Sequence, residues 1–563
     1  MATSDSVSQD LSLQRQSLLT WWRSGDPWIW LTSTAVAASV AAVLGLIGLL
    51  AVNGLAHFWP SQVLSIEYER FGTTTTIFGE LSERESIGRY QFLEANPGYD
   101  RDLPTTVERW LIKTGNRQAN PPDFRWLYAH DVIESSVPTS VVVIERTEWG
   151  DAFGHLVGIK AAGEPVEPGD LWEEFQARIE RTASIREGID ELQEGSINGI
   201  NYELESIRLE KRRRQLDAHH EFSDLEARES ALRADYAVVE NQVFDLTSEL
   251  ERDTASLALA DGRVIDIPIS TIIQAWMPNS MSIWQKLGLY FKNLWNFLTE
   301  DPREANTEGG VYPALFGTVL MVLLMSALVT PFGVIAALYL REYAKQGPLV
   351  QLIRIAVNNL AGVPSIVYGV FGLGFFVYLI GGTIDDLFFP EAKPAPTFGT
   401  PGLIWASLTL ALLTVPVVIV STEEGLTRIP REVREGSLAL GATKAETIFK
   451  VVLPMASPSI LTGMILAVAR AAGEVAPLML VGVVKLAPTL PIDGNFPYLH
   501  LERKFMHLGF HIYDVGFQSP NVDAARPLVF ATALLLVLII IVLNLTAITL
   551  RNRLEARYRV SVN

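Results

Sequence analysis

The 563-residue chain contains no cysteine. Disulfides, thiolate metal sites and cysteine nucleophiles are therefore excluded, and the compartment cannot be read from thiol chemistry. Charge is scarce as well: 19% of residues are Asp, Glu, Lys or Arg, against 49% hydrophobic. An excess of basic residues is also missing, with 63 acidic against 45 basic side chains and a formal net charge of -18. A nucleic-acid binder would carry a basic face instead. There is no GxxxxGK[ST] loop, HExxH, GxSxG or close histidine cluster, and Gly441-Ala-Thr-Lys444 lacks the nucleotide-loop spacing. Catalysis by this chain alone has no carrier residues in that reading.

Uncharged apolar sequence is what the chain has in quantity, and mean hydropathy is +0.23. Pro27–Ala56, Gly309–Leu340, Ile355–Ile384, Pro394–Thr422 and Pro527–Leu550 contain no Asp, Glu, Lys or Arg. Crossing a bilayer takes roughly 20 apolar residues. The pattern predicts an α-helical polytopic membrane protein with six spans, at about 28–52, 312–340, 359–380, 401–422, 455–484 and 527–550. The first run is too long for a signal-peptide core and reads as a retained span. Lys and Arg concentrate on one side of these spans: Arg15 and Arg23, then Arg341, Lys345 and Arg354, then Arg428 to Lys450, then Arg551 to Arg559. The positive-inside rule puts that side, with tails 1–26 and 551–563, in the cytoplasm and residues 57–308 outside.

That outer segment is a whole inserted α+β domain. Residues 60–170 and 261–281 read as β-rich, with runs such as Val63–Tyr68, Arg109–Lys113 and Ser140–Glu145 broken by Gly, Pro and Asn. Residues 171–260 read as a coiled-coil hairpin. Leu225, Leu232, Val239 and Leu246 repeat every seven residues, with Tyr236, Val243, Leu250 and Leu257 as the companion series. Two register breaks, near 194–201 and 217–223, leave the tip unplaced. His219-His220 reads as a solvated pair on the hairpin. Residues 282–298 place Trp284, Phe291, Leu294 and Trp295 on one helix face, which suits either a membrane interface or a cap on the β core.

Two segments carry chemistry. The first is the cytoplasmic stretch Arg431–Pro454 within the loop 423–454. It reads as two short helices about a tight turn at Gly441, with Thr443 and Glu446 forming a capping box. Glycine takes positive φ without steric cost, which the turn requires. The second is Ala469-Arg470-Ala-Ala-Gly-Glu474-Val-Ala-Pro477 in span five. A charge in mid-bilayer costs roughly 2.5–3.5 kcal/mol, so Arg470 and Glu474, four apart on one face, serve a pathway or form a structural ion pair. Ala469 and Gly473 offer a small-xxx-small face for close helix approach. Pro477 frees backbone groups that protein or a watery cavity must satisfy.

The first segment resembles the coupling motif of ABC importer permeases, EAA-x3-G-x9-I-x-LP. It appears as Glu435-Gly436-Ser437, Gly441, then Val451, Leu453 and Pro454. The second resembles the ARAxGETAPL signature of PstA-type phosphate permeases, with Val475 where threonine is usual. Asn359-Leu-Ala-Gly-Val-Pro-Ser365-Ile-Val-Tyr-Gly-Val-Phe-Gly-Leu373 is similar to that family's NLAGVPSIVFGLFGL stretch. Gly309–Tyr343, with Pro313, Gly317 and Leu340-Arg-Glu-Tyr343, is similar to its first core span. The resemblance covers 309–553 and the first span but not 60–300.

What it implies is an ABC type I importer permease fold in a bacterial inner membrane, with the inserted domain periplasmic. The chain would pair with a PstC-like permease, receive phosphate from a periplasmic binding protein, and dock two copies of an ATPase. It would bind no cofactor and catalyse no reaction itself. Arg470 would offset the charge of phosphate, Glu474 would orient or gate it, and Asn359 and Ser365 would add polar lining. Glu435, Gly436, Ser437, Gly441, Ala442, Leu453 and Pro454 would meet the ATPase. Open alternatives are another oxyanion such as sulfate or molybdate, a secondary transporter, for which no inverted repeat is evident, and an interaction protein acting through the hairpin.

Overall fold

The computed structural model describes residues 22, 24–70, 72–95, 104–166, 169–218, 221–519 and 522–559. Arg15, Arg23 and the His219-His220 pair lie outside the described residues. Among the described residues six helices are long and apolar enough to cross a membrane: Pro27–Ala56, Tyr312–Tyr343, Ser365–Phe388, Leu403–Arg428, Lys444–Gly473 and Ala525–Ala556, spans one to six below. A helix satisfies its own backbone polar groups, which is why apolar runs in lipid take this form.

Two spans are displaced from their expected limits. Span three starts at Ser365 rather than 359, because Pro364 disfavours a helical residue before it. The sequence upstream becomes a separate amphipathic helix, α5 (Pro348–Leu360). Span five starts at Lys444 and stops at Gly473 instead of running to 484. Glycine followed shortly by Pro477 is a helix-stop signal.

Span four is the innermost. Its Gly425 meets Ser459 of span five, and Gly463 of span five meets Ser421 of span four, where a Cβ added at Gly463 would lie 2.8 Å from the Ser421 side chain. Ser421 Oγ donates to the Ser459 carbonyl at 2.7 Å across this contact. The expected close approach at Ala469 and Gly473 is not made, since Gly473 faces open space. Close packing sits two turns earlier, where small residues let the backbones touch. Met321, Met325, Val329, Leu410, Leu413, Ala467, Ala471 and Phe505 fill the bundle core.

Among the described residues the inserted domain has two large antiparallel sheets, and at its exit Pro302–Arg303 pairs with Glu308–Gly309. The first has strands β1 (Val63–Arg70), β2 (Thr73–Gly88), β3 (Thr106–Lys113), β4 (Phe124–Tyr128) and β5 (Val132–Ser136), in the order β4-β3-β2-β1-β5. The second has β6 (Val142–Arg146), β7 (Ala152–Ala161), β8 (Asp253–Ala258), β9 (Val264–Pro268) and β10 (Ile272–Trp276), in the order β9-β8-β7-β6-β10, with Glu164–Pro165 pairing on β7. Ile144, Ile159, Leu257 and Ile269 form its core, and Phe175 and Ile179 of a helical arm pack on it.

The arm rises between β7 and β8. One leg is α1 (Leu171–Glu191), a π-helical turn Leu192–Ile197 and α2 (Asn198–Leu216), and the other is α3 (Ser223–Leu250). The legs run antiparallel, joined by Lys211–Glu229 at 2.6 Å and Arg228–Glu203 at 2.8 Å. Leu225, Leu232, Tyr236, Val239, Val243, Leu246 and Leu250 are the inward positions of α3. Leu257, expected on the same series, lies in β8 instead. The helix ends at Leu250, and Asp253, fully buried and paired with Arg178 and Arg181, pins the returning chain to the root of the arm. The arm reaches the loops of the bundle. Arg213 pairs with the buried Glu391 at 2.8 Å, and Tyr202 Oη donates to the Phe496 carbonyl.

Helix α4 (Ile283–Thr299) begins at a Ser282/Gln285 capping box. Tyr290, Leu294, Phe297 and Leu298 pack with Phe58 and Val311, while Trp284 is 79% and Trp295 66% exposed. It therefore caps a core on one face and keeps an aromatic face open, as interfacial helices do.

The two roots of the inserted domain meet. Asn279 accepts from Val63 N at 3.1 Å and donates to Val63 O at 2.7 Å, and the Phe58 and Phe297 rings pack at a 54° tilt with centroids 5.1 Å apart. A turn at 304–306 joins domain and bundle. Glu304 pairs with Arg117 at 2.8 Å, and Asn306 donates to the Lys485 carbonyl at 3.0 Å and to Asp514 at 3.2 Å. Glu304, Ala305 and Asn306 all have positive φ, at 45°, 57° and 77°. A non-glycine residue there costs about 1–2 kcal/mol. Ala305 is exposed, so its methyl group contributes little by burial. Ala305→Gly is expected to stabilise the chain by about 0.5–1 kcal/mol, after the added freedom of the unfolded chain is counted. A denaturation series in detergent measures it, and an unchanged midpoint would contradict the strain.

Candidate functional site

Arg470 occupies the last turn of span five, and Glu474 follows the helix end in extended conformation (φ -83°, ψ 128°). The two were expected on one helix face in mid-span. Glu474 instead leaves the helix and turns back, so that its carboxylate lies 3.5 Å from Arg470 Nε, with both side chains half-buried. The negative end of the helix macrodipole favours a cation at Arg470.

Beyond Glu474 the chain folds back into the bundle. Leu478 N donates to Val475 O at 3.0 Å and Gly402 N to Val481 O at 2.9 Å. Phe505 N donates to Gly482 O at 3.2 Å and Leu403 N to Arg503 O at 2.9 Å. The backbone groups around Pro477 are thus satisfied by protein, as non-helical chain at membrane depth requires.

Tyr368 of span three is buried, within electrostatic reach of Arg470, and donates to the Leu360 carbonyl at 2.6 Å. That bond folds the 361–364 turn against the bundle. Asn359, exposed, and Ser365, half-buried, stand on either side of the turn. No hydrogen bond or ion pair among the described residues joins either of them to Arg470 or Glu474.

Two buried histidines stand at the short helix α7 (Leu508–Tyr513). His507 caps it, accepting from Gly509 N at 3.0 Å, and His511 lies one turn on. Both are buried, and burial pushes each down to about 4, so they are neutral at ordinary pH. His511 lies near Asp514, which pairs with Lys485 at 3.0 Å. The i, i+4 spacing of His507 and His511 was the available signal. Among the described residues no group of His, Cys, Asp or Glu is placed to hold a metal ion.

At the opposite end of the bundle, α6 (Arg431–Ala439) leads to Gly441, whose φ is +90°. Thr443 and Glu446 form both bonds of a capping box. Ser437 Oγ and Thr447 Oγ1 lie 2.9 Å apart, and Ala442 N donates to Ser437 O at 3.3 Å. Glu435 and Gly436 are exposed, Leu453 packs in the cluster of Leu426, Ile448 and Val452, and Pro454 stands in the next helical turn. The end of span two holds this segment in place. Arg434 pairs with Glu342 at 3.0 Å, Lys444 donates to the Glu342 carbonyl, and its ammonium lies 4.6 Å from the Tyr343 ring centre. The segment leaves an apolar surface open, with Leu440 91% and Phe449 63% exposed.

Nothing lies within 4 Å of a Cβ added at Gly441, so a substitution there is opposed by backbone strain alone. Gly441→Ala is expected to loosen the turn by about 1–2 kcal/mol. It is read as faster hydrogen exchange of the Thr447 amide, which donates to Thr443 O at 2.9 Å. Unchanged exchange would contradict the positive-φ requirement.

The model of the binding-protein-dependent transport system inner membrane component family matches residues 329–560. The phosphate transport system permease protein PstA of Mycobacterium leprae is 35% identical over 237 residues, which cover 41% of this chain and 71% of that one. PstA of Yersinia pestis is 33% identical over 254 residues, covering 45% and 76%. The probable ABC transporter permease protein YqgI of Bacillus subtilis is 30% identical over 256 residues, covering 45% and 81%. Among solved structures, the inward-facing MetNI methionine ABC transporter aligns with 49% of this chain and 99% of its own at 18% identity and a TM-score of 0.32. The chain is thus a member of the binding-protein-dependent transport inner-membrane component family: a multi-pass ABC permease subunit of the PstA type.

Proposed function

We propose that this chain is the permease subunit of an ATP-driven phosphate importer. The observation that carries the reading is Arg470, a half-buried guanidinium at the end of a membrane span, with Glu474 beside it. It lies in the region similar to proteins whose names are those of phosphate permeases. A fixed guanidinium suits a tetrahedral oxyanion through paired hydrogen bonds. In this reading Arg470 offsets the charge of phosphate, Glu474 orients the guanidinium or closes the path behind it, and Asn359 and Ser365 line the approach. The path is completed by a PstC-like permease.

The EAA-like segment Glu435, Gly436, Ser437, Gly441, Ala442, Leu453 and Pro454 is the coupling surface for an ATPase dimer. A short helix with an open apolar face fits a groove on a soluble partner. Both termini are cytoplasmic, and residues 57–308 form a periplasmic domain. The arm acts as a coiled-coil hairpin that presents a docking platform to a phosphate-binding protein. Its contacts with Glu391 and Phe496 would pass that event to the bundle.

The test is ATP-driven uptake into vesicles carrying the full complex, with phosphate, sulfate and molybdate in competition. Preferential uptake of phosphate is the expected result. Preferential uptake of another oxyanion would replace phosphate as cargo, and uptake driven by an ion gradient without ATP would overturn the importer reading. Cutting the arm back to its root is expected to lower uptake severalfold at limiting binding protein. Undiminished uptake would remove the docking role.

A further inference from the structure

At the end of the bundle that carries the coupling segment lies a cavity of about 450 Å³, away from Arg470 and Glu474. Three elements converge on it: the end of span two, helix α5 and the end of span four. Each brings an arginine, respectively Arg341, Arg354 and Arg428, and Asn358, Glu423 and Glu424 also line the cavity.

The charges are not balanced within it. Arg354 is engaged, at 3.2 Å from Glu423 and 3.0 Å from Gln346 Oε1. Arg341 and Arg428 form no hydrogen bond or ion pair with any described residue, and Glu424 pairs with neither of them. Other arginines are engaged: Arg434 nearby pairs with Glu342 at 3.0 Å, and Arg470 at the far end of the bundle with Glu474 at 3.5 Å. With Arg354 and Glu423 cancelling, two guanidiniums face one carboxylate. A guanidinium presents a fork of donors that matches the oxygens of a phosphate group, and it cannot discharge by losing its proton.

We propose that this cavity is an oxyanion site, binding a phosphate group through Arg341 and Arg428, with the Asn358 amide as a third donor. The group is inorganic phosphate or the phosphate of an anionic lipid headgroup. An anion held there ties span two to span four. It also lies next to Glu342, on which Arg434 and Lys444 anchor the coupling segment. Occupancy therefore bears on the part of the chain that holds that segment still. The site is separate from Arg470 and does not depend on the transported ion being phosphate.

The experiment uses the full-length chain in nanodiscs, either of neutral phosphatidylcholine alone or with phosphatidylglycerol. Radiolabelled inorganic phosphate is titrated by equilibrium binding, and bound lipid is read by native mass spectrometry. Four proteins are compared: the native chain, the double variant Arg341→Gln with Arg428→Gln, the double variant Arg341→Lys with Arg428→Lys, and Arg470→Gln. Losing two charge-assisted contacts is expected to weaken binding on the order of tenfold to a hundredfold or more in the Gln pair. The Lys pair, which keeps the charge but not the fork, is expected to fall between, and it carries the test if the Gln pair does not fold. Saturable phosphate binding that survives Arg470→Gln and weakens in the arginine variants supports the site with free phosphate as occupant. Retention of phosphatidylglycerol that is lost in those variants, without saturable phosphate binding, supports it with the lipid headgroup. Binding that is absent for both probes, or equal in native and variant chains, overturns the proposal. Binding lost only in Arg470→Gln belongs to the transport path and overturns it as well.

Discussion

Arg470→Gln is expected to lower phosphate uptake by roughly a hundredfold while leaving assembly with the ATPase intact. A charge-assisted hydrogen bond contributes about 1.5–3 kcal/mol. At about 1.4 kcal/mol per factor of ten, loss of one or two such bonds to a dianion accounts for that drop. Glutamine keeps the length of the side chain and an amide donor, and the helix end is preserved. The uncompensated Glu474 carboxylate would add repulsion to the approaching anion. Glu474→Gln separates the roles. If Glu474 only orients the guanidinium, uptake falls severalfold. If it is a gate, ATP hydrolysis without transport rises. The measurement is labelled-phosphate uptake with the complex quantified by co-purification. Undiminished uptake by Arg470→Gln would make the pair a structural ion pair and remove it from the path.

Leu440→Asp is expected to abolish ATPase co-purification, with at least a hundredfold loss of affinity. Leu440 is 91% exposed, so the change costs the isolated chain almost nothing. Seating a leucine in an apolar groove is worth about 1.5–3 kcal/mol, and burying an unpaired carboxylate in its place costs several more. Phe449, also open, should give a weaker effect as alanine, because truncation forfeits area without adding a charge. Hydrogen exchange across 431–454 should match the native pattern. Retained ATPase in Leu440→Asp would place the docking surface elsewhere on the chain.

The spans were legible because apolar content over some twenty residues has one backbone solution in lipid. The Thr443–Glu446 box and the turn at Gly441 were legible because capping and positive φ are local demands. Reading failed where the deciding contact is remote. Glu474 reads as helical if Gly473 is a packing residue, whereas Gly473 ends the helix. Leu257 fits the heptad spacing, while the Asp253 anchor to Arg178 and Arg181 depends on side chains 75 and 72 residues away. Asn359 and Ser365 are close in sequence to Tyr368, but their distance from Arg470 is set by how span three leans on span five. Lys485–Asp514 and Arg213–Glu391 are matters of tertiary geometry that composition does not encode.

The Val63–Asn279 clasp has a consequence for how the chain can be altered. Its partners are 216 residues apart, yet they exchange two hydrogen bonds. Seen from the bundle, everything between them is a bulge on a loop already tied shut. Closure entropy grows only as the logarithm of loop length, so a bulge of this size strains the membrane part little more than a short one would. The clasp is therefore a graft point. Below it the spans carry a permease that has no stake in the length of the insert. Above it, sheets and arm can be lost, replaced or elaborated, provided that the turn at 304–306, the two contacts from the arm, and the Glu83–Arg526, Glu145–Arg303 and Gln274–Asn293 contacts are let go together.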